Sequence, residues 1–180
     1  AIAAGYVESL TLGGGQFCTK PSLMFIPSGS GEAMRRHLAE QISKAGTPWL
    51  LNEGIYRDYE NGVSDLEGEG GIRLLGRAEA DPEAGFAVKP ALFWTGAEEF
   101  RDKRRLLLTE CFGPAGIVVE YDSDDQLLRL LGDLPGAWSE PFTPSPRTRR
   151  WPRTSSKCSA NESDESCGTA TRPAWPSAGA

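Results

Sequence analysis

Hydrophobic positions along residues 1–136 change their spacing several times, and each change marks a predicted element. Residues 1–12 mix Ala, Leu and Glu and predict a helix. Gly13–Gly15 end it, because glycine tolerates tight and left-handed backbone. Ser22 to Ile26 is a short apolar run bounded by Pro21 and Pro27, the pattern of a buried strand. A helix is expected to open with Ser30 as N-cap and to close at Gly46 and Pro48, with Met34, Leu38 and Ile42 forming a stripe four apart. Residues 52–66 predict a second helix, with Ile55, Tyr59 and Val63 on one face.

Glu67 to Gly71 predicts a glycine-rich hairpin or loop. It does not complete a dinucleotide fingerprint, because Gly68 and Gly70 are followed by Arg73 where the third glycine belongs. Strands are expected over 71–76, 86–89 and 90–94, and a charged helical turn with solvated side chains over 97–104. Leu106–Leu108 predicts an apolar strand that meets Glu110 and then a Gly113-Pro114 stop. Residues 115–121 predict another strand, and Asp122–Asp125 are expected to cap a helix over 124–134 whose apolar set is Leu127, Leu128, Leu131 and Leu134. Helices alternating with strands place the chain in the α/β class.

The pattern stops at Gly136. Residues 137–180 contain no Leu, Ile, Val, Met or Tyr, and their three tryptophans are isolated. Such a segment cannot bury enough apolar area to offset an ordering entropy of about 1–2 kcal/mol per residue, so it is expected to be a disordered, low-complexity tail. Residues 1–136 and 137–180 are therefore treated as two regions.

Composition narrows the function classes. The net charge of −6 and a pI near 4.9 argue against a general nucleic-acid binder. No run approaches the roughly 18 apolar residues of a membrane span, and no charged-then-apolar leader is visible. The opening Ala-Ile-Ala-Ala, without a Met, is expected to lie inside a longer polypeptide. The four cysteines (Cys18, Cys111, Cys158 and Cys167) form no C-x-x-C pair. With His37 as the sole histidine, neither a metal site nor a disulfide framework is expected, and free thiols in a cytoplasmic setting are.

Candidate chemistry centres on Cys18, which follows the glycine run in a helix-to-strand turn. A free cysteine is commonly a small buried hydrophobe. A thiolate nucleophile instead needs access and nearby donors, and a glycine turn offers unpaired backbone N–H groups and close approach. The wider string decides between them. Ser9-Leu10-Thr11-Leu12 followed by Gly15-Gln16-Phe17-Cys18-Thr19-Lys20-Pro21 resembles the catalytic-cysteine motif of the aldehyde dehydrogenase superfamily. The Gln-Phe-Cys-Thr-Lys-Pro version is similar to its NADP-dependent branch acting on α-ketoglutaric semialdehyde (2,5-dioxopentanoate) and related aldehydes. Glu110-Cys111-Phe112-Gly113-Pro114 resembles the family's E-x-F-G-P element and stands in the right order after the cysteine. The resemblance covers residues 1 to about 136 and implies part of an aldehyde dehydrogenase catalytic domain.

That resemblance implies an oxidoreductase that converts a small aldehyde to a carboxylate with NADP or NAD. Cys18 would attack the carbonyl to give a thiohemiacetal, hydride would pass to the nicotinamide, and water would hydrolyse the resulting thioester. The Cys18 N–H would serve the oxyanion hole, Glu110 would accept from the nicotinamide-side ribose hydroxyls, and Phe112 would help position the nicotinamide. Phe17 would line the substrate pocket or simply pack, and Cys111 is expected to be a buried side chain. The parent enzyme would form a homo-oligomer, with no membrane or nucleic-acid partner. The family's coenzyme domain, general-base glutamate and oxyanion asparagine precede the nucleophile and are not in this sequence; Glu8 is too close to Cys18 to be the base. The isolated chain is accordingly expected to be inactive, and a truncated non-catalytic gene product is the alternative. A cysteine hydrolase would need His37, placed in a helix, as its partner.

The tail also lacks the family's later G-x-x-H-A-E and N-G-x-P-T-G elements. With suitable third bases, a one-base offset through residues 137–177 can read Gly-Thr-Val-His-Ala-Glu and Trp-Asn-Gly-Tyr-Pro-Thr-Gly. Out-of-frame translation from about residue 137 is the expectation, with a natural linker as the alternative.

Overall fold

A computed structural model describes residues 1–82 and 84–134; the disordered tail and the out-of-frame translation expected over 137–180 lie outside the described residues. Six helices and four strands are found among the described residues, the helices being α1 (Ile2–Thr11), α2 (Ser28–Ser43), α3 (Glu53–Gly68), α4 (Ala97–Asp102), α5 (Arg104–Leu107) and α6 (Asp124–Gly132). The strands are β1 (Leu23–Pro27), β2 (Arg73–Arg77), β3 (Ala91–Gly96) and β4 (Ala115–Tyr121). They form one sheet in the order β1-β4-β3-β2. β1, β4 and β3 run parallel, and β2 closes the far edge antiparallel to β3.

The sheet is covered on both faces, which explains why its inner strands are apolar almost throughout. Successive residues of β4 point to opposite sides: Ile117 and Val119 join a core with α3, α4 and α6, and Val118 joins a core with α1 and α2. In β3, Phe93 and Leu92 divide the same way. Leu38 and Ile42 are fully buried on α2, with Met34 half-buried beside them, as the stripe predicts. Tyr59 and Val63 do the same for α3, which Asn52 caps by accepting from the Ile55 N–H at 3.0 Å.

Several expectations change. β1 is the edge strand, and only its Ile26 is buried, so the run between the two prolines is half-exposed. α2 begins at Ser28, with Pro27 as N-cap; Ser30 lies inside the first turn and its hydroxyl donates back to the Pro27 carbonyl at 3.4 Å. α3 runs through Glu67 and Gly68, so the glycine-rich turn is a short helix-to-strand link and not a hairpin. Residues 86–89 form no strand: extended chain there pairs with the 48–50 segment only through the Trp49–Ala87 bridge, using Val88 N–H to Pro48 and Leu50 N–H to Phe86. Leu106–Leu108 belongs to α5 and its C-terminal cap. α6 is capped by Ser123, which accepts from the Gln126 N–H at 3.3 Å. Its buried leucine is Leu130, while Leu128 and Leu131 are exposed.

Candidate functional site

Cys18 stands where α1 has ended and β1 has not begun. The helix runs out through a 3₁₀ turn over Leu12–Gly15, in which Gly13, Gly14 and Gly15 take φ of 58°, 70° and 68°. This left-handed run is open to glycine and strained for other residues. It throws the next residues clear of the core, so that Phe17, Cys18 and Thr19 are all exposed. The Lys20 N–H turns back to the Phe17 carbonyl at 3.1 Å and closes a tight turn around the thiol. Among the described residues the Cys18 N–H meets no backbone carbonyl, which leaves it available as a donor.

This loop is strapped on both sides. Before the thiol, Gln16 uses its whole amide: Nε2 donates to the Gly13 and Trp49 carbonyls, both at 3.2 Å, and Oε1 accepts from the Leu51 N–H at 2.8 Å. After it, Lys20 Nζ donates to the carbonyls of Cys111 at 2.7 Å, Gly113 at 2.8 Å and Ala115 at 3.1 Å. The two segments singled out in the sequence, 13–21 and 110–114, therefore meet. Contact is closest at Gly15, where a Cβ would lie 2.5 Å from the Gly113 carbonyl group and 2.6 Å from the Pro114 nitrogen. Gly113 itself, at φ 140°, lies under the Tyr59 ring. Tyr59 is fixed there because its hydroxyl donates to the Lys89 carbonyl at 2.8 Å.

Beside the junction lies a cleft of about 470 Å³, lined by Lys20, Asp58, Asn61, Asp65, Glu110 and Cys111 along with apolar side chains of β1, β4 and α5. Glu110 is an exposed carboxylate on its wall, close enough to Lys20 to favour the ammonium charge. Phe112 is half-buried and does not line the cleft; neither does Cys18. Phe17 is 53% exposed, its ring resting on Gly13. Cys111 is half-buried, with Sγ against Gly62 of α3 and 4.0 Å from the Tyr59 carbonyl. His37 is exposed on α2. Sequence reasoning missed Lys20 and Gln16, although both stand inside the motif it quoted. A side chain with several hydrogen-bonding atoms, set on a turn that leaves backbone groups unpaired, is the signal that was available.

Burial sets the ionisation of the groups around the junction. It pushes the Tyr6 and Tyr59 phenols up from 10.0, and the Cys111 thiol up from 9.0 against the opposing pull of the Lys20 charge. It lowers Lys20 from 10.5, with Cys111 and Glu110 acting the other way. For the three acids the unfolded chain ionises first, so their stabilisation is complete below their ordinary values and lost as pH rises past them. Lys20 has the reverse sign: its unfolded amine keeps a proton that the folded one sheds, so stability rises with pH just below 10.5. The thiol and the amine act with opposite signs, and the two phenols add their loss above 10.0. Urea midpoints measured across the alkaline range are expected to fall as pH rises past 10.

No group of three or more His, Cys, Asp or Glu side chains among the described residues could hold a metal ion. No helix among them is long and apolar enough to cross a membrane.

Residues 1–140 match the model of the aldehyde dehydrogenase family. An alpha-ketoglutaric semialdehyde dehydrogenase 2 of Azospirillum brasilense is 36% identical over 140 residues, which are 76% of this chain and 26% of that protein. An alpha-ketoglutaric semialdehyde dehydrogenase of Acinetobacter baylyi is 32% identical over 136 residues, 75% of this chain and 26% of that one. The chain thus spans about a quarter of the length of these curated relatives. The NAD+ complex of an aldehyde dehydrogenase from Bacillus cereus superposes with a TM-score of 0.63 at 19% identity, over 73% of this chain and 28% of that one. A proline utilization A mutant from Bradyrhizobium japonicum superposes at 0.61 and 21% identity, over 73% and 13%. These superpositions show a shared fold.

Proposed function

Because the chain belongs to the aldehyde dehydrogenase family, we infer that Cys18 is its nucleophile and that the polypeptide carrying it oxidises an aldehyde to a carboxylate with NAD+ or NADP+. The observation that carries this reading is the junction itself: an exposed thiol on a left-handed glycine turn, tied to the segment that bears Glu110 and Phe112. The two curated relatives favour a semialdehyde of the α-ketoglutaric type as substrate.

The residues present fit one end of such a cofactor. Glu110 is an accept-only carboxylate on an open wall, suited to two ribose hydroxyls at once; Phe112, half-buried and outside that cleft, would help position the nicotinamide as the family resemblance implies. Nothing among the described residues forms a phosphate cradle. When bound, NAD+ or NADP+ supplies the hydride acceptor. The chain's own part is to capture and hold the acyl carbon. The Cys18 sulfur forms a bond to the carbonyl carbon while the C=O π pair moves to oxygen, where the free Cys18 N–H donates to the developing charge. Once the hydrogen on the thiohemiacetal carbon had left as hydride to that acceptor, the acyl group would stay on sulfur as a thioester until water adds to it, the C–S bond breaks with its electron pair returning to the Cys18 thiolate, and the carboxylate leaves. Phe17, exposed beside the thiol, covers the apolar part of the aldehyde.

The test uses the complete polypeptide containing this chain, mixed with the semialdehyde and either cofactor while reduced nicotinamide is followed. Turnover is expected, and Glu110→Gln is expected to raise the cofactor KM by about tenfold or more, as loss of charge-assisted hydrogen bonds to two hydroxyls predicts. An unchanged cofactor KM in Glu110→Gln would remove Glu110 from the cofactor site.

A further inference from the structure

We propose that Lys20 is a positioning residue that fixes the nucleophile loop against the cofactor-side segment, holding Cys18 and Glu110 in one register. The proposal deepens the reading of Cys18 and Glu110 given above and rests on it. Four observations support it. Lys20 is two residues from Cys18, within the turn closed by its own N–H on Phe17. Its ammonium has three donors, and the structure gives all three a carbonyl acceptor, at Cys111, Gly113 and Ala115. These acceptors begin one residue after Glu110 and flank Phe112, so the grip spans the segment that would meet the cofactor. Lys20 also lines the same cleft as Glu110.

The alternatives for a buried lysine do not describe this one. Among the described residues Lys20 makes no ion pair, whereas Lys44, Lys89 and Lys103 do. Its Nζ meets backbone alone, so what it recognises is the path of the chain at 111–115 and not a side-chain charge. Alternate carbonyls of extended chain share a side, so those of Cys111, Gly113 and Ala115 can all face one ammonium. Gln16 cannot replace the grip, because it ties the loop to residues 49–51 on the other side. Removing the ammonium leaves the glycine contact between Gly15 and Gly113 but takes away what pulls the two segments together. A displacement near 1 Å at a reacting group can reduce rate by about a hundredfold.

The test compares Lys20→Met and Lys20→Gln with the parent polypeptide by three measurements. Amide exchange across residues 111–116 is expected to quicken at least tenfold in Lys20→Met, with α1 and β4 beyond Val118 unchanged. Cofactor-dependent turnover is expected to fall thirtyfold or more, while alkylation of Cys18 by iodoacetamide, which needs no cofactor, stays within threefold. A general loosening of the fold would move all of these together, so the split between turnover and alkylation identifies positioning. Lys20→Gln, shorter and able to reach fewer carbonyls, is expected to fall between the two, and it serves where Lys20→Met does not fold. Parent-like exchange at 111–116 in both variants, or turnover within threefold of the parent, overturns the proposal. Should the parent itself show no turnover, the reading of Cys18 fails while exchange at 111–116 still decides whether Lys20 holds the two segments together.

Discussion

Cys18→Ser is expected to abolish aldehyde oxidation, with initial rates falling on the order of 10³-fold or more. The reason is chemical. A thiol is intrinsically nucleophilic, whereas a hydroxyl needs an adjacent base, and among the described residues no side-chain hydrogen bond places one on Cys18. The structural consequence is expected to be small, because the side chain is exposed and an exposed substitution changes stability by about 0.5 kcal/mol or less. Melting temperature should therefore hardly move while the rate collapses. Rates for the parent and variant at matched, saturating cofactor check it, with thermal melts beside them. Parent-like turnover in the serine variant would show that the nucleophile lies elsewhere.

Gly15→Ala is the second, and its effect falls on the fold as well as on the site. At φ 68°, a Cβ meets the left-handed penalty of about 1–2 kcal/mol. That same Cβ would lie 2.5 Å from the carbonyl carbon and oxygen of Gly113 and 2.6 Å from the nitrogen of Pro114. All three are backbone atoms, so no rotamer change relieves the clash, and overpacking adds about 1–3 kcal/mol. A loss of about 2–5 kcal/mol is a large share of a domain's net stability. Whatever is regained by moving the loops apart is lost from the Lys20 grip. Gly13→Ala is expected to be milder, since its Cβ meets the Phe17 ring, an exposed side chain able to swing away. Gly5→Ala is the control: nothing lies within 4 Å, the site is helical, and alanine there should be neutral or slightly stabilising. Urea midpoints for the three variants test the order, and a Gly15→Ala variant as stable as the parent would contradict the close approach at Gly113.

The errors made from the sequence share physical causes. Leu106-Leu107-Leu108 has no period to read, and three leucines in a row suit a buried strand or a helical turn equally. The turn won because Leu107 alone is buried and the chain must finish the turn before Glu110. Residues 86–89 are extended, but their partner is a short stretch of loop, so they make a bridge and not a strand. In α6 four leucines crowd nine residues, and pattern alone cannot say which face the sheet will cover; the structure selects Leu130 and exposes Leu128 and Leu131.

By itself the sequence determined the α/β class, the two stripes on α2 and α3, the left-handed glycine run and the two motifs that carry the family resemblance. These are local properties: spacing sets which face is apolar, and glycine sets where the backbone can reverse. The pairing of those motifs was decided by tertiary structure alone. Gly15 meets Gly113 because the parallel alignment of β1 and β4, Leu23 beside Ile117, brings their preceding loops to the same end of the sheet. Lys20 can satisfy three carbonyls because the same pairing lays residues 111–115 beside it. No spacing along the chain encodes a contact between residues this far apart, since it exists only once the strands have paired.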